Sequence, residues 1–324
     1  MNTATPGPAR WSSPIALIRL EGADTRRFLH GQSSQAIELA PSGACLPTCL
    51  ISPTGRMRAL ALVRLDDSGA DLLVLAGDGQ VVHQALDRVL FPADRVRLGP
   101  VQAATLVRWL ADPAITVPSA SDGDANLLSP GVNLGAGNDQ RAWLLQPGEP
   151  LPAWLEALPE LDGIKAERER IRQGFPAEPG ELNDSTNPFE LGLAPWVSLT
   201  KGCYVGQETL AKLATYDGVK QQLRHWRSGP AAADACAPGT SLSTATGERA
   251  GVITSVLAGP AGLEGLALVR RSALDQPELH CGTRLEGGSG DSCPPAMPIT
   301  ISVPQGFVAP PVGAGGLGSG PSAA

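Results

Sequence analysis

Several residue classes are scarce in this 324-residue chain, and each scarcity excludes something. Phe, Trp and Tyr make up 4% of it, and there are three methionines, four histidines and four lysines. No window approaches the roughly 18 consecutive apolar residues of a membrane-spanning helix, so no membrane partner is expected. The opening MNTATPGPARW has neither a basic nor an apolar leader segment, so no signal peptide is read. Six cysteines without such a signal read as reduced thiols, and the expected compartment is the cytoplasm. Positive charge is also lacking. A net charge of −7 argues against non-specific grip on nucleic acid, and no direct nucleic-acid binding is expected. No P-loop, H-E-x-x-H or G-x-S-x-G motif occurs, which removes the usual signatures of phosphoryl transfer, zinc proteolysis and serine hydrolysis. Gly313, Gly315 and Gly318 do satisfy G-x-G-x-x-G, but no strand precedes them and six residues follow, too few for a helix that could receive a pyrophosphate. Cys45 and Cys49 are spaced as C-x3-C, yet further ligands at metal-site spacing are missing, so they read as small core residues and no metal is expected.

What is present is a globular composition, 42% hydrophobic and rich in glycine and proline. Ile15–Gly22 alternates as a strand, and Asp24 stands at the N-cap of a short helix that buries Phe28 and Leu29. Two β-like runs between Cys45 and Leu65 are split by SPTG, a hairpin turn, and Asp71–Gly77 is a further strand. GQVVHQALDRVLFP has Val81, Val82, Ala85, Leu86, Val89 and Leu90 at helical spacing, with His83 on the solvated side. IKAERERIRQG reads as a helix closed by Gly174, its charges forming a solvated face. Beyond Lys220 the pattern changes to short β segments punctuated by Gly and Pro. The expected organisation is a first region over 1–218, built as two subdomains with a surface insertion at about 118–138, then a β-barrel over 219–303 and a disordered tail over 304–324.

The densest stretch is KGCYVGQE, Lys201–Glu208. Gly202 and Gly206 permit positive φ and close approach, and Gln207 opens a helix on which Glu208 precedes Lys212 by four residues. Cys203 then lies in a loop near a helix N-terminus beside Lys201, two features that favour a thiolate. A packed turn around a small cysteine is the competing reading.

KGCYVGQE closely resembles the K-G-C-[FY]-x-G-Q-E signature of the YgfZ family, folate-binding proteins related to the glycine-cleavage aminomethyltransferase and to mitochondrial iron–sulfur assembly factors. GADTRRFLHGQ, SPTGRM, RIRQGFP, NPFELGL and TYDGVKQQL resemble further family segments in family order, from about Ile15 to Leu223.

The resemblance implies an α+β aminomethyltransferase-like fold with a central folate channel and a C-terminal small β-barrel. It implies tetrahydrofolate or a one-carbon derivative as ligand, iron–sulfur enzymes or assembly proteins as partners, and an indirect effect on tRNA modification. Cys203 would be the reactive thiol with Lys201 as its activator. Arg56, Arg172, Glu190, Gly202, Tyr204, Gly206, Gln207 and Glu208 would form the folate site. The chain departs from the transferase: GRMRALALV carries Arg58 and Ala59 where the enzyme has an aspartate, and Arg172 replaces its pterin-holding glutamate. Ile15 and Ala166 stand where some members carry tryptophans. Arg56, Arg58, Arg170 and Arg172 are expected as a basic lining for the glutamate tail of folate. The alternative is a tetrahydrofolate-dependent one-carbon transferase using Glu190 or Glu208 as a replacement carboxylate.

Overall fold

The computed structural model describes residues 7–110, 126–134, 140–230, 236–259, 261–282, 297–310 and 313. Its first half is a seven-stranded antiparallel sheet in the order β2-β3-β4-β1-β5-β7-β6. These strands are β1 (Ala9–Glu21), β2 (Cys45–Ile51), β3 (Met57–Leu65), β4 (Gly69–Ala76), β5 (Arg97–Leu110), β6 (Leu127–Leu128) and β7 (Ala142–Leu145). Strand β3 is buried at all but two positions because both its faces are covered. One face meets α1 (Thr25–Gln32) and α2 (Gly79–Asp87); the other meets the main core around Phe189, Trp196 and Leu210.

The expected strand at Ile15 begins at Ala9, and its long partner β5, which was not read, pairs with it from Ala9↔Leu110 to Glu21↔Arg97. The SPTG hairpin forms as expected, pairing from Cys45↔Arg64 to Ile51↔Met57 with a register shift between Leu50 and Ile51. Asp24 does not cap α1 with its side chain; it accepts hydrogen bonds from Arg95 instead. Helix α2 buries only Gly79, Val82 and Leu86. Gly79 lets it sit so close to β1 that Val81, Ala85 and Val89 turn outward and line a groove with Pro53 and Val205. His83 is half-buried, its Nε2 3.0 Å from the Gly99 carbonyl, and is not simply solvated.

After α3 (Ala153–Glu156) comes α4 (Gly163–Gln173), capped by Asp162 and ended by Gly174 in the left-handed region. Its charges are not a solvated face. Arg168 donates to Glu264, Arg170 to Glu167 and Glu181, and Arg172 to Glu169, with Glu181, Glu169 and Glu264 all buried.

Helix α5 (Gln207–Thr215) leads to the second half, a closed antiparallel barrel β10-β11-β8-β13-β12-β9. It comprises β8 (Gln221–Ser228), β9 (Ser241–Ser243), β10 (Arg249–Gly259), β11 (Gly262–Arg270), β12 (Glu278–Cys281) and β13 (Met297–Ser302), around fully buried Trp226.

Closing the barrel brings Cys236 beside Cys281 on β12, where they are disulfide-bonded with Cα atoms 6.1 Å apart. The expectation of reduced thiols is corrected for this pair. The tail expected from Pro304 onward is ordered at its start. Pro304 is buried, Gly306 donates its N–H to the Gln173 carbonyl, and Val308 donates to that of Gly192. Phe307 lies so close to Gly192 that a Cβ there would stand 2.2 Å from its ring. Residues 311–312 and 314–324, and 118–125 and 135–138 of the expected insertion, lie outside the described residues; Leu127–Leu128 within the insertion pair with β7. Among the described residues no helix is long and apolar enough to cross a membrane.

Candidate functional site

The two motifs that looked separate in the sequence meet in space. His30 and Gly31, at the end of α1, hold the loop Lys201–Gly206 from one side. The Gly31 carbonyl accepts the Val205 N–H at 3.1 Å. His30 Nδ1 accepts the N–H groups of Ile37 and Glu38, so its proton resides on Nε2, which donates to the Lys201 carbonyl at 2.9 Å. Sequence reading passed over His30, although it lies within GADTRRFLHGQ.

Lys201 points away from the role assigned to it. Its ammonium donates to the carbonyls of His30, Ser33 and Gln35, the latter two at 2.6 and 2.8 Å, and rests 4.4 Å over the Tyr204 ring. An ammonium has three donors, so none is left for the Cys203 thiol. Burial pushes its pKa down to about 7, and the three carbonyl oxygens work against that by hydrogen-bonding the charged form. Lys201 is an anchor, not an activator.

Tyr204 is buried, and burial raises its phenol further above the usual range. Gly206 has φ 80°, and a Cβ there would stand 2.6 Å from the Ser52 carbonyl oxygen, so the loop lies directly on the β2–β3 turn. Gln207 begins α5, its N–H donating to the Tyr204 carbonyl. Glu208 is exposed and paired with Lys212 at 2.6 Å; it belongs to the solvated face of α5 and is removed as a candidate carboxylate. Gly202, with φ 94° and open space around it, turns the chain outward. Cys203 follows it, exposed to solvent. The other free thiols differ: Cys49 is buried, Cys45 is partly so, and burial pushes both up to about 12.

The expected folate residues divide. Arg172 is tied to buried Glu169 at 2.5 Å and to Gln305, Arg58 to Asp184, and Arg170 to Glu167 and Glu181. Each of these arginines has its own acidic partner, so the four-arginine lining does not form. Arg56 and Glu190 do come together, 4.0 Å apart. Glu190 is buried, accepts the Asn187 N–H at 3.0 Å, and has its pKa raised by burial. Both line a recess of about 470 Å3 with Ser185, Lys220, Gln221, Arg270, Arg271 and Ser272. Through Ser185 and Gln221 it adjoins a cleft of about 690 Å3 between α4 and β10. That cleft has apolar walls at Pro179, Val252, Val256 and Leu268, and is lined also by Asn183 and by Thr254, whose buried hydroxyl has no partner among the described residues. Both volumes fall in the range of small-molecule sites.

The fold is that of an aminomethyltransferase. The glycine cleavage system aminomethyltransferase T of Bartonella henselae superposes with a TM-score of 0.67 over 94% of this chain and 88% of its own, at 14% identity. No family model matches the chain. Among characterised sequences, the chloroplast candidate transferase At1g60990 of Arabidopsis thaliana is 29% identical over 81% of this chain, which spans 65% of that relative's length. The mitochondrial iron–sulfur cluster assembly factor IBA57 of Mus musculus is 27% identical over 83% of this chain and 78% of its own. The solved structure shows the fold, and the two sequence relatives are, by name, a candidate transferase and an iron–sulfur cluster assembly factor. Their names place them in the chloroplast and the mitochondrion, and the cytoplasm expected from the sequence gains no support from them.

Proposed function

We propose that this protein binds a reduced folate, tetrahydrofolate or a one-carbon derivative, and supports iron–sulfur enzymes or their assembly proteins, with Cys203 as the working sulfur. The observation that carries this is the solvent-exposed Cys203 at the crest of a loop otherwise tied down. Lys201, His30, Tyr204 and Gly206 are all committed to holding that loop against α1 and the β2–β3 turn. A loop that merely turned the chain would have no need to fix its backbone so firmly around an unpacked thiol. Sulfur is soft and acidic enough to serve iron or persulfide chemistry, which a hydroxyl is not. IBA57, a relative by sequence, is an iron–sulfur cluster assembly factor by name. Some iron–sulfur enzymes modify tRNA, so an effect on tRNA would come through them, in keeping with the net charge of −7.

A second reading, a one-carbon transferase, rests on Glu190, a buried carboxyl with a raised pKa beside a folate-sized cleft. Asp184, which stands opposite Arg58, is exposed and already ion-paired.

One variant tests the first reading. Because Cys203 is exposed, Cys203→Ser should leave the melting temperature and tetrahydrofolate affinity unchanged while abolishing support of iron–sulfur enzyme activity in cells lacking the protein. Full complementation by Cys203→Ser would reduce the loop to architecture. Release of ammonia from an aminomethylated lipoyl carrier in the presence of tetrahydrofolate would favour the transferase.

A further inference from the structure

The recess floored by Glu190 gathers four cations from distant parts of an acidic chain: Arg56 from the β2–β3 turn, Lys220 from the entry to β8, and Arg270 and Arg271 from the exit of β11. Like charges held around one small volume repel each other, and that costs stability unless an anion offsets it. Internal compensation is partial. Glu190 stands 4.0 Å from Arg56, and Arg271 is paired with Asp217. Lys220 and Arg270 have no acidic partner among the described residues. Ser185, Gln221 and Ser272 add neutral polar groups between the cations. The recess therefore presents positive charge along a line of polar side chains and has no apolar wall to hold a ring. Its neighbour across Ser185 and Gln221 is the opposite, a larger cleft with apolar walls and little free charge.

A ligand that matches both has a planar, partly apolar body and a flexible arm carrying several negative charges. A reduced folate with additional γ-linked glutamates has that form: ring system and benzoyl group at one end, one free carboxylate per glutamate along the other. We propose that the Arg56–Lys220–Arg270–Arg271 recess receives the poly-γ-glutamate tail of a folate whose body lies in the adjoining cleft. This rests on the folate-binding reading above, and replaces the lining by Arg58, Arg170 and Arg172, which hold carboxylates of the protein itself.

The test compares tetrahydrofolate carrying a single glutamate with the pentaglutamate, in wild type and in Lys220→Gln/Arg270→Gln. Several partly exposed ion pairs together should make the pentaglutamate bind wild type about tenfold more tightly than the monoglutamate at low salt. The ratio should fall toward unity in the double variant, and in wild type at high salt. Both substituted residues are exposed, so the variant should fold, which its melting temperature would verify. Monoglutamate binding with no gain from the longer tail, or a gain that persists in the double variant, overturns the recess while leaving folate binding intact. Failure of wild type to bind the monoglutamate at all overturns the folate reading instead.

Discussion

Helix α4 and the loop Lys201–Gly206 are the two places where this chain concentrates polar chemistry, and the structure uses them in opposite ways. In α4 the charges are fully reciprocated. Arg168, Arg170 and Arg172 each meet a buried carboxylate, and two of those three contacts, with Glu181 and Glu264, lie outside the helix. Glu264 sits on β11, so α4 fastens the barrel to the first half of the molecule. In the loop the anchoring groups find partners, while the buried Tyr204 hydroxyl has none among the described residues and the Cys203 thiol is exposed. The Lys201 ammonium, the His30 imidazole and the Val205 amide have partners, and the Cys203 thiol faces solvent. Density of charge marks a joint in the first case and a pedestal in the second. What separates them is whether a reactive group is left over.

The largest effect should come from opening the joint. Glu181→Ala removes a fully buried carboxylate that accepts from Arg170, Ser255 and the Ala177 amide, leaving a buried guanidinium short of a partner. Such a break costs about 3–5 kcal/mol. Chemical denaturation should report it as a lowered midpoint, and an unchanged midpoint would show that the network is ornamental. The same joint should fail in acid. The His225 imidazole, 3.7 Å away, and the hydrogen bond from Arg168 hold the Glu264 carboxyl well below its ordinary value, at about 2. A depressed carboxyl contributes stability that is fully present above its unfolded value of 4.5 and is lost as pH falls toward 2. Glu264→Gln should flatten the stability profile across that window.

A smaller effect is expected from the pedestal. Lys201→Met keeps the apolar stem over Tyr204 but strips three carbonyl oxygens at the end of α1 of their donor. Leaving buried acceptors unpaired costs about 2 kcal/mol, or somewhat more if water cannot enter. If Lys201 instead activated Cys203, the variant would slow alkylation of the thiol and leave stability alone. The structure calls for the reverse: a lower melting temperature, with Cys203 alkylated at least as fast as before.

These outcomes bear on what the sequence could reveal. The KGCYVGQE pattern announced a tightly turned loop, and Gly202 and Gly206 do take positive φ, because such a backbone requirement is carried by local sequence. It assigned Lys201 wrongly, because adjacency along the chain says nothing of side-chain direction, and the ammonium's partners lie some 170 residues away. The hairpin at Ser52–Gly55 and the end of α4 at Gly174 were legible for the same local reason. Strand β5 was missed, although it runs beside β1 for almost its whole length, since its pairing is long-range. The cationic recess was illegible for a stronger reason: its cations come from positions 56, 220, 270 and 271 and meet only once the barrel has closed against the first sheet. Helix α4 misled in the other direction. A run of alternating charges usually faces water, and only tertiary structure shows that three of its partners are buried.

The smallest effect separates the two regions most cleanly. The segment Pro304–Val308 closes over the end of α4, with Gln305 donating its N–H to the Arg172 carbonyl, Gly306 to that of Gln173, and Phe307 packing on Gly192 under the Arg224 guanidinium, 5.3 Å from the ring centroid. Nothing in it reaches the Lys201–Gly206 loop among the hydrogen bonds described. Truncation after Val303 removes one partly buried aromatic ring and three backbone hydrogen bonds, which together amount to about 2 kcal/mol. In a chain of this length that corresponds to a fall in melting temperature of about 3 °C. Cys203 should be alkylated at the wild-type rate in the folded truncated protein, since its pedestal is untouched. If the melting temperature stays put, the segment is the loose tail that its composition suggests. If the alkylation rate changes instead, joint and pedestal are coupled, and their separation fails.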